Sequence, residues 1–525
     1  MAVDNKNMFA NLKSDLPAGL VVYLVALPLC LGVALASTGD PNRLFSGVIA
    51  GIVGGIVVGA LSGSALGVAG PAAGLVVIIL GALETLGSFE ALLLAIVLCG
   101  VIQLIAGFLN AGIIGYYFPS SVIKGMLAAI GLTLILKEIP HAFGYDKDFF
   151  GDESFSQPDG HNTFSELYYS VKYSCTGALI ISLVSLGVLI LFERPFMHKI
   201  QLFRFLPGAL FVVILGTLLN LALAAFKPEW TMVGEHLVNL PVADSAREFI
   251  SFFSLPDFSM IANPDIYTVA FTLAIVASLE TLLSVEATDK LDPNKRSTPT
   301  NRELKAQGVG NIVSGLIGGL PITQVIVRSS ANIDSGGQTK MAAIFHGVLL
   351  LVSAIFIPHF LNMIPLAALA AILLMVGYKL SKVSLYKKMY ELGWDQFIPF
   401  VATIVAILLT DLLKGIAIGM VVAIYFILRK NYKHSYHYKT EERQEGEVIT
   451  LQLSQEVTFL NKGSINHTLS ALPRDCTVVI DGSKSLNIDY DVLEIIEEFK
   501  NHTAPSRNIT VKTIGIKKVE VTGGH

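Results

Sequence analysis

The sequence predicts a polytopic α-helical membrane protein of fourteen segments, followed by a small α/β domain. Three observations carry that prediction. Of 525 residues, 53% are hydrophobic and only 15% charged, with a mean hydropathy of +0.63, so a water-soluble fold would expose far too much apolar surface. Apolar runs long enough to cross a hydrocarbon core of about 30 Å recur from Leu16 to Leu428. After Arg429 the pattern changes abruptly to that of a soluble domain.

Hydropathy and turn signals place the first seven segments at 16–36, 44–62, 70–86, 90–108, 117–137, 175–193 and 207–225. The second seven follow at 265–288, 307–320, 322–338, 341–361, 364–379, 395–411 and 412–428. No run resembles a cleavable signal ahead of a soluble domain. An even count with a cytoplasmic N-terminus predicts which loops are basic, and the predicted loops are basic. Arg194, Lys199 and Arg204 follow segment six; Lys290, Lys295, Arg296, Arg302 and Lys305 follow segment eight; Lys379, Lys382, Lys387 and Lys388 follow segment twelve; Arg429, Lys430 and Lys433 follow segment fourteen. The long loops near 141–174 and 226–264 carry Asp146, Asp148, Asp152, Glu153, Asp159, Glu229, Glu235, Asp244 and Asp257 and are expected to face outward. The expected domains are a cytoplasmic N-terminus over 1–14, a transmembrane domain over 15–430 and a cytoplasmic domain over 431–525.

In the tail, Ile449, Leu451 and Leu453 alternate as a strand does, and Cys476 to Ile480 forms a short buried-strand candidate. Val492, Ile495, Ile496 and Phe499 fall at helical spacing, and Ile509 to Ile514 reads as a further strand. A net charge of −4 and a pI near 6.3 give no basic footprint for nucleic acid. Cys30, Cys99, Cys175 and Cys476 lack paired metal spacing and read as small buried residues. No P-loop, His-rich metal motif or nucleophile elbow is present, which leaves ATP-driven transport and hydrolysis without a sequence basis.

Two segments in matching positions of the two halves, the third and the tenth, are short and interrupted by Gly and Pro, the pointer to an inverted-repeat transporter. The third opens Gly70-Pro71-Ala72-Ala73-Gly74, and the tenth is entered through Gly318-Gly319-Leu320-Pro321 and continues to Arg328. A helix that starts at mid-membrane leaves its first N–H groups without intrahelical partners and presents partial positive charge there. Two such starts facing each other suit a small anion, with Arg328 adding a full charge. Read singly, each break is as readily a packing device or kink; the matched pair favours the anion site.

Segment eight carries Glu280 and Ser284 one helical turn apart on one face. A carboxylate at membrane depth points to a proton carrier or a sodium ligand, with a structural pair to a neighbouring helix as the alternative. Glu286 lies nearer the helix end and is expected to find solvent or a partner such as Lys290. Arg328 alternatively snorkels to the interface or pairs with a carboxylate. Lys124, Lys137, Glu138 and Asp411 read as end-of-helix or interface charges, His346 as a hydrogen-bonded core residue, and Gly47, Gly51, Gly55 and Gly59 as a close-packing stripe.

These residues resemble the SulP anion transporters, bacterial relatives of the animal anion exchangers. The likeness covers nearly the whole chain. It rests on Ala26-Leu27-Pro28, Gly70-Pro71, Phe118 through Gly125, Pro207-Gly208-Ala209-Leu210, Asn301 through Gly319, Arg328, and Gly336-Gly337-Gln338-Thr339-Lys340. The resemblance implies a seven-plus-seven inverted repeat divided into core and gate domains, an elevator-like movement, a homodimer in the lipid of the bacterial cytoplasmic (inner) membrane with both termini inside, and a cytoplasmic STAS domain. It places the anion among Pro28, Leu29, Ala72, Ala73, Val325, Ile326 and Arg328. It places the coupling cation at Glu280 and Ser284, which makes sodium the one candidate metal; no cofactor is otherwise expected.

Relatives often carry polar side chains where this chain has Leu29, Ala72, Val325 and Ile326, so the implied site is unusually apolar and leans on helix-end amides and Arg328. Ile488-Asp489-Tyr490-Asp491 lacks the serine that soluble STAS proteins phosphorylate. Segment eight resembles the branch of the family linked to carbonic anhydrases. The reading that follows is bicarbonate uptake coupled to sodium or protons, with proton-coupled sulfate uptake, or an uncoupled exchanger or channel, as alternatives. Nucleobase uptake ranks below these because segment ten has no carboxylate of the kind that reads a heterocycle. A signalling scaffold acting through the tail belongs to a different class and predicts loss of output on deletion after Lys433.

Overall fold

The computed structural model describes residues 11–147, 155, 162–194, 207–242, 246–433, 436–443 and 446–519. Asp148, Asp152, Glu153, Asp159, Lys199, Arg204 and Asp244 lie outside them. The chain divides into two compact units, Met1–Met420 and Val421–His525.

The first unit is helical, and the described residues have a helix at each of the fourteen expected places, the fourteenth beginning in this unit at Leu412 and ending at Lys433 in the second. Seven helices among the described residues are long and apolar enough to cross a membrane, and the bent pair Thr163–Lys172 and Thr176–Phe192 adds an eighth if taken as one span. The others are shorter or more polar. Segment nine shows why hydropathy misplaces such ends. It runs Thr300–Leu316, starting before the expected 307, since Asn301, Arg302, Glu303 and Lys305 depress hydropathy while the helix continues through them. Segment five also outruns its expected end, over Ser120–Phe143. Lys137 and Glu138 therefore sit inside the helix, only 7% and 1% exposed, and not at an interface. Neither lacks a partner, which is the condition for burying charge.

The glycine stripe of segment two packs as expected. A Cβ on Gly47 would lie 2.0 Å from the Cys30 carbonyl oxygen, and one on Gly55 would lie 2.6 Å from Gly347 Cα, so neighbouring backbones touch where only hydrogen fits. A π-turn at Gly54–Val58 interrupts the same helix. Glu286 pairs with Lys290 at 3.3 Å. Asp411 pairs with Lys414 at 2.8 Å in the turn before segment fourteen. His346 is fully buried with Nδ1 2.9 Å from the Ala343 carbonyl oxygen.

Two short strands lie inside the first unit, β1 (Ala69–Pro71) and β2 (Ile322–Gln324). The second unit carries β3 (Tyr436–Arg443), β4 (Gly446–Leu453), β5 (Glu456–Val457), β6 (Thr477–Asp481), β7 (Asn487–Ile488) and β8 (Thr510–Ile514). Its main sheet has the order β3-β4-β6-β8, with β3 antiparallel to β4 and the rest parallel. Ile449, Leu451, Val478, Ile480, Ile496 and Phe499 build its core. β3 was not legible because Lys439, Glu441, Glu442 and Arg443 break any apolar alternation, a composition suited to a sheet edge. The arrangement, with helices Lys462–Ala471 and Tyr490–Glu498, fits a STAS domain.

One acidic loop residue is not solvated as its loop suggested. The Asp146 side chain is 2% exposed, with Oδ1 2.5 Å from His141 Nδ1 and Oδ2 2.5 Å from His236 Nδ1. His236 belongs to a stretch tied to the start of segment twelve, where Val238 N donates to Ile364 O and Leu240 N to Asn362 Oδ1. Burial alone would raise the Asp146 carboxyl, but its bonds to His141 and His236 outweigh that and hold it below its ordinary value. The Asp146 bond raises His236. The depressed carboxyl contributes stability that is lost as pH falls below about 4, and the raised imidazole contributes stability that is lost as pH rises beyond about 6.5. Melting temperature of the purified protein should therefore fall between pH 6 and pH 8.5, and Asp146→Asn should lower it by a few degrees while flattening that slope. An unchanged slope in the variant would show that the triad does not set it.

Candidate functional site

The two chain breaks meet. β1 and β2 pair antiparallel with Ala69 opposite Gln324, Gly70 opposite Thr323 and Pro71 opposite Ile322, and Val325 N donates to Val68 O at 2.9 Å. Each break thereby supplies the backbone partners that the other would lack inside a membrane. From the crossing, segment three leaves as the turn Ala73–Leu75 and helix Val76–Leu86, and segment ten leaves as Ile326–Asp334. Ala72 and Val325 occupy the cap positions in extended conformation, and neither has a side-chain capping bond. The first N–H groups of both helices are thus left without intrahelical or cap partners at one place.

Of the residues expected around the anion, Ala72, Ala73, Val325 and Ile326 are brought together by this pairing. Leu29 is 7% exposed on segment one, and Pro28 reaches a 250 Å³ cavity shared with Asp146 and Glu235 at the end carrying the long loops. A 480 Å³ cavity at the other end contains Asp334 and the ion pair of Glu193 with Lys379, 2.7 Å apart.

Arg328 is 1% exposed and pairs with no carboxylate among the described residues, so it neither snorkels nor forms the alternative ion pair. Its guanidinium lies against β1, where a Cβ on Gly70 would fall 2.1 Å from Nη1, and near Gly51 of segment two. Nε and Nη1 are buried without hydrogen-bond partners. The charge stands directly behind the crossing and raises the potential at both helix starts.

Glu280 and Ser284 are 6% and 4% exposed. The carboxylate lies against the first turn of segment three, since a Cβ on Gly74 would be 3.0 Å from Glu280 Oε1. A negative charge at a helix N-terminus is stabilised by the helix dipole. An anion placed at that helix end would compete with Glu280 unless the carboxylate were neutralised.

A polar layer behind the crossing was not assigned a role from sequence. Glu303, fully buried, accepts from Gln307 Nε2 at 3.1 Å, from Gln324 Nε2 at 2.8 Å and from Ser62 Oγ. Asn311 donates to Gln103 Oε1 at 2.7 Å and brackets Ile322, accepting from its N–H and donating to its carbonyl. Ser329 Oγ accepts from Val68 N at 3.0 Å, and Thr281 Oγ1 accepts from Gln324 N at 3.3 Å. The available signal was the spacing of Glu303, Gln307 and Asn311, four apart and so on one helix face.

A membrane unit organised around two crossed breaks has the architecture of an inverted-repeat transporter. The chain belongs to the sulfate permease family, whose model matches residues 12–405. It is 28% identical to the putative sulfate transporter YvdB of Bacillus subtilis over 420 residues, 80% of this chain and 74% of that one. It is 26% identical to the bicarbonate transporter BicA of Picosynechococcus over 433 residues, 81% of this chain and 71% of that one. Among solved structures, the transmembrane domain of a cyanobacterial bicarbonate transporter BicA matches with a TM-score of 0.53 at 22% identity, covering 79% of this chain and 98% of that one. The inward-facing murine Solute Carrier 26 family member A9 matches with a TM-score of 0.67 at 16% identity, covering 98% and 86%. These structures speak for the fold. The protein is an integral membrane transporter of the sulfate permease family and not an enzyme.

Gly70 tests the packing behind the crossing. Gly70→Ala forces its methyl into the Arg328 guanidinium, an overpacking that costs roughly 1–3 kcal/mol. The variant should melt lower and lose most anion flux, whereas Gly70→Ala with Arg328→Ala should recover melting temperature without recovering flux. Recovery of both by the double variant would show that the Arg328 charge is dispensable.

Proposed function

We propose that this chain takes up bicarbonate, coupled to sodium or protons through Glu280 with Ser284 as the companion ligand. The observation that carries this reading is the Glu280 carboxylate seated on the first turn of segment three. An ionised Glu280 opposes an anion at that helix end by like charge, and a proton or sodium ion on it removes the opposition. Cation and anion then bind cooperatively, which is the requirement for symport. Pro28, Leu29, Ala72, Ala73, Val325 and Ile326 would surround the anion with mostly apolar walls, leaving the helix-start amides and the Arg328 charge to hold it.

The bicarbonate preference rests on the likeness of segment eight to the carbonic-anhydrase-linked branch. Sulfate carried with protons is the second reading, favoured by the same helix-start amides. An elevator-like movement of a homodimer in the bacterial cytoplasmic membrane, with both termini in the cytoplasm, belongs to the same proposal. The lysines beside Glu193 in the 480 Å³ cavity would then stand at the cytoplasmic mouth.

Accumulation of labelled bicarbonate and labelled sulfate in proteoliposomes, under an imposed sodium gradient and then a proton gradient, decides among these readings. Sodium-driven bicarbonate uptake is the expected result, and proton-driven sulfate uptake would install the second reading. Glu280→Gln should abolish accumulation against a gradient while leaving the melting temperature within a few degrees. Undiminished accumulation in that variant would remove Glu280 from coupling.

A further inference from the structure

A 300 Å³ cavity touches the start of segment three at Ala73 and Gly74 and is also lined by Ile130 and Thr133 of segment five and by the turn from Asp411 to Lys414. Its walls are mostly apolar. Asp411 is already engaged, accepting from Lys414 N at 2.8 Å and pairing with Lys414 Nζ. That leaves the Thr133 hydroxyl.

Thr133 is only 9% exposed. Helical threonines usually return their hydroxyl to the carbonyl one turn back, and most of those described here do, among them Thr38 to Ala34, Thr217 to Val213, Thr288 to Ser284, Thr403 to Pro399 and Thr410 to Ala406, while Thr281 and Thr468 are engaged elsewhere. Thr133 shows no such bond and no other side-chain hydrogen bond among the described residues. The hydroxyl is open to the cavity and not sealed in the core, so a ligand or water there supplies its partner. It lines the same cavity as the uncapped start of segment three.

We propose that Thr133 is an anion-binding residue: from segment five, its hydroxyl donates a hydrogen bond to the anion held at the start of segment three. This deepens the anion-symport reading and rests on it. Lys414 also lines the cavity but is largely exposed and paired with Asp411, so the hydroxyl is the neutral side-chain donor that the described walls offer to an anion. It both donates and accepts, so it can also take the proton-bearing edge of a hydrogen-carrying oxyanion.

The test compares Thr133→Val, which keeps shape and removes the hydroxyl, with Thr133→Ser, which restores it, in proteoliposomes beside the wild type. A hydrogen bond to a charged group sets the scale: Thr133→Val should raise the half-saturating bicarbonate concentration roughly tenfold with little change in maximal rate, and Thr133→Ser should return it close to the wild-type value. An unchanged half-saturation in Thr133→Val, with wild-type flux intact, overturns the proposal and leaves anion transport standing. Absence of bicarbonate and sulfate flux in the wild type overturns both. Occupancy is read separately with Thr133→Cys in a Cys175→Ser background, the other cysteines being buried. Labelling by a methanethiosulfonate should slow as bicarbonate or sulfate is raised, and labelling indifferent to both anions places them elsewhere.

Discussion

Breaking a helix inside a membrane strands backbone N–H and C=O groups where water cannot reach them, and each group left unsatisfied costs several kcal/mol. This chain breaks two helices and lets the breaks satisfy each other. Three residue pairs between β1 and β2 do so, and the bond from Val325 to Val68 extends the ladder. The rest of the membrane unit is arranged to keep that ladder in place. Asn311 holds Ile322, the Glu303 carboxylate anchors the Gln324 side chain, and Ser329 and Thr281 take the remaining amides at Val68 and Gln324. Gly70 leaves the room that the Arg328 guanidinium fills.

From this constraint the electrostatics follow. Two helix starts and one buried arginine concentrate positive potential where side chains offer almost no polarity, so an anion is favoured by field more than by specific ligands. Glu280 places an opposing charge on one of those starts. On the proposed reading, the balance among these charges would give a cation leverage over an anion at the same place. A site of this kind is general for small anions and gains selectivity only from whatever hydroxyls or carboxylates face it.

Much of this was legible in the sequence. Helix existence followed from apolar runs, the two breaks from Gly70-Pro71 and Gly318-Gly319-Leu320-Pro321, and the pairing of Glu286 with Lys290 from their spacing. What was not legible depended on partners distant in sequence. Hydropathy treats Lys137, Glu138 and Glu303 as signs of solvent, yet all three are buried because the fold brings neighbours to them. The short strands β1 and β2 have no alternation to detect, being three residues each. The environment of Arg328 was likewise invisible, since it is set by two glycines from other segments. β3 was missed because an edge strand needs only one apolar face, or none.

The ladder also fixes an order of events during synthesis. Ala69 emerges from the ribosome long before Gln324, its partner, so the first break must wait, unpaired, while most of the membrane unit is still being made. Contacts of such long sequence separation form late and slowly, and chains exposing an unpaired strand are prone to misassociate. The half of the molecule that supplies the first break is therefore incomplete as a folding unit. Truncation anywhere before β2 leaves a membrane-inserted fragment with an open backbone edge, a natural substrate for quality-control proteolysis.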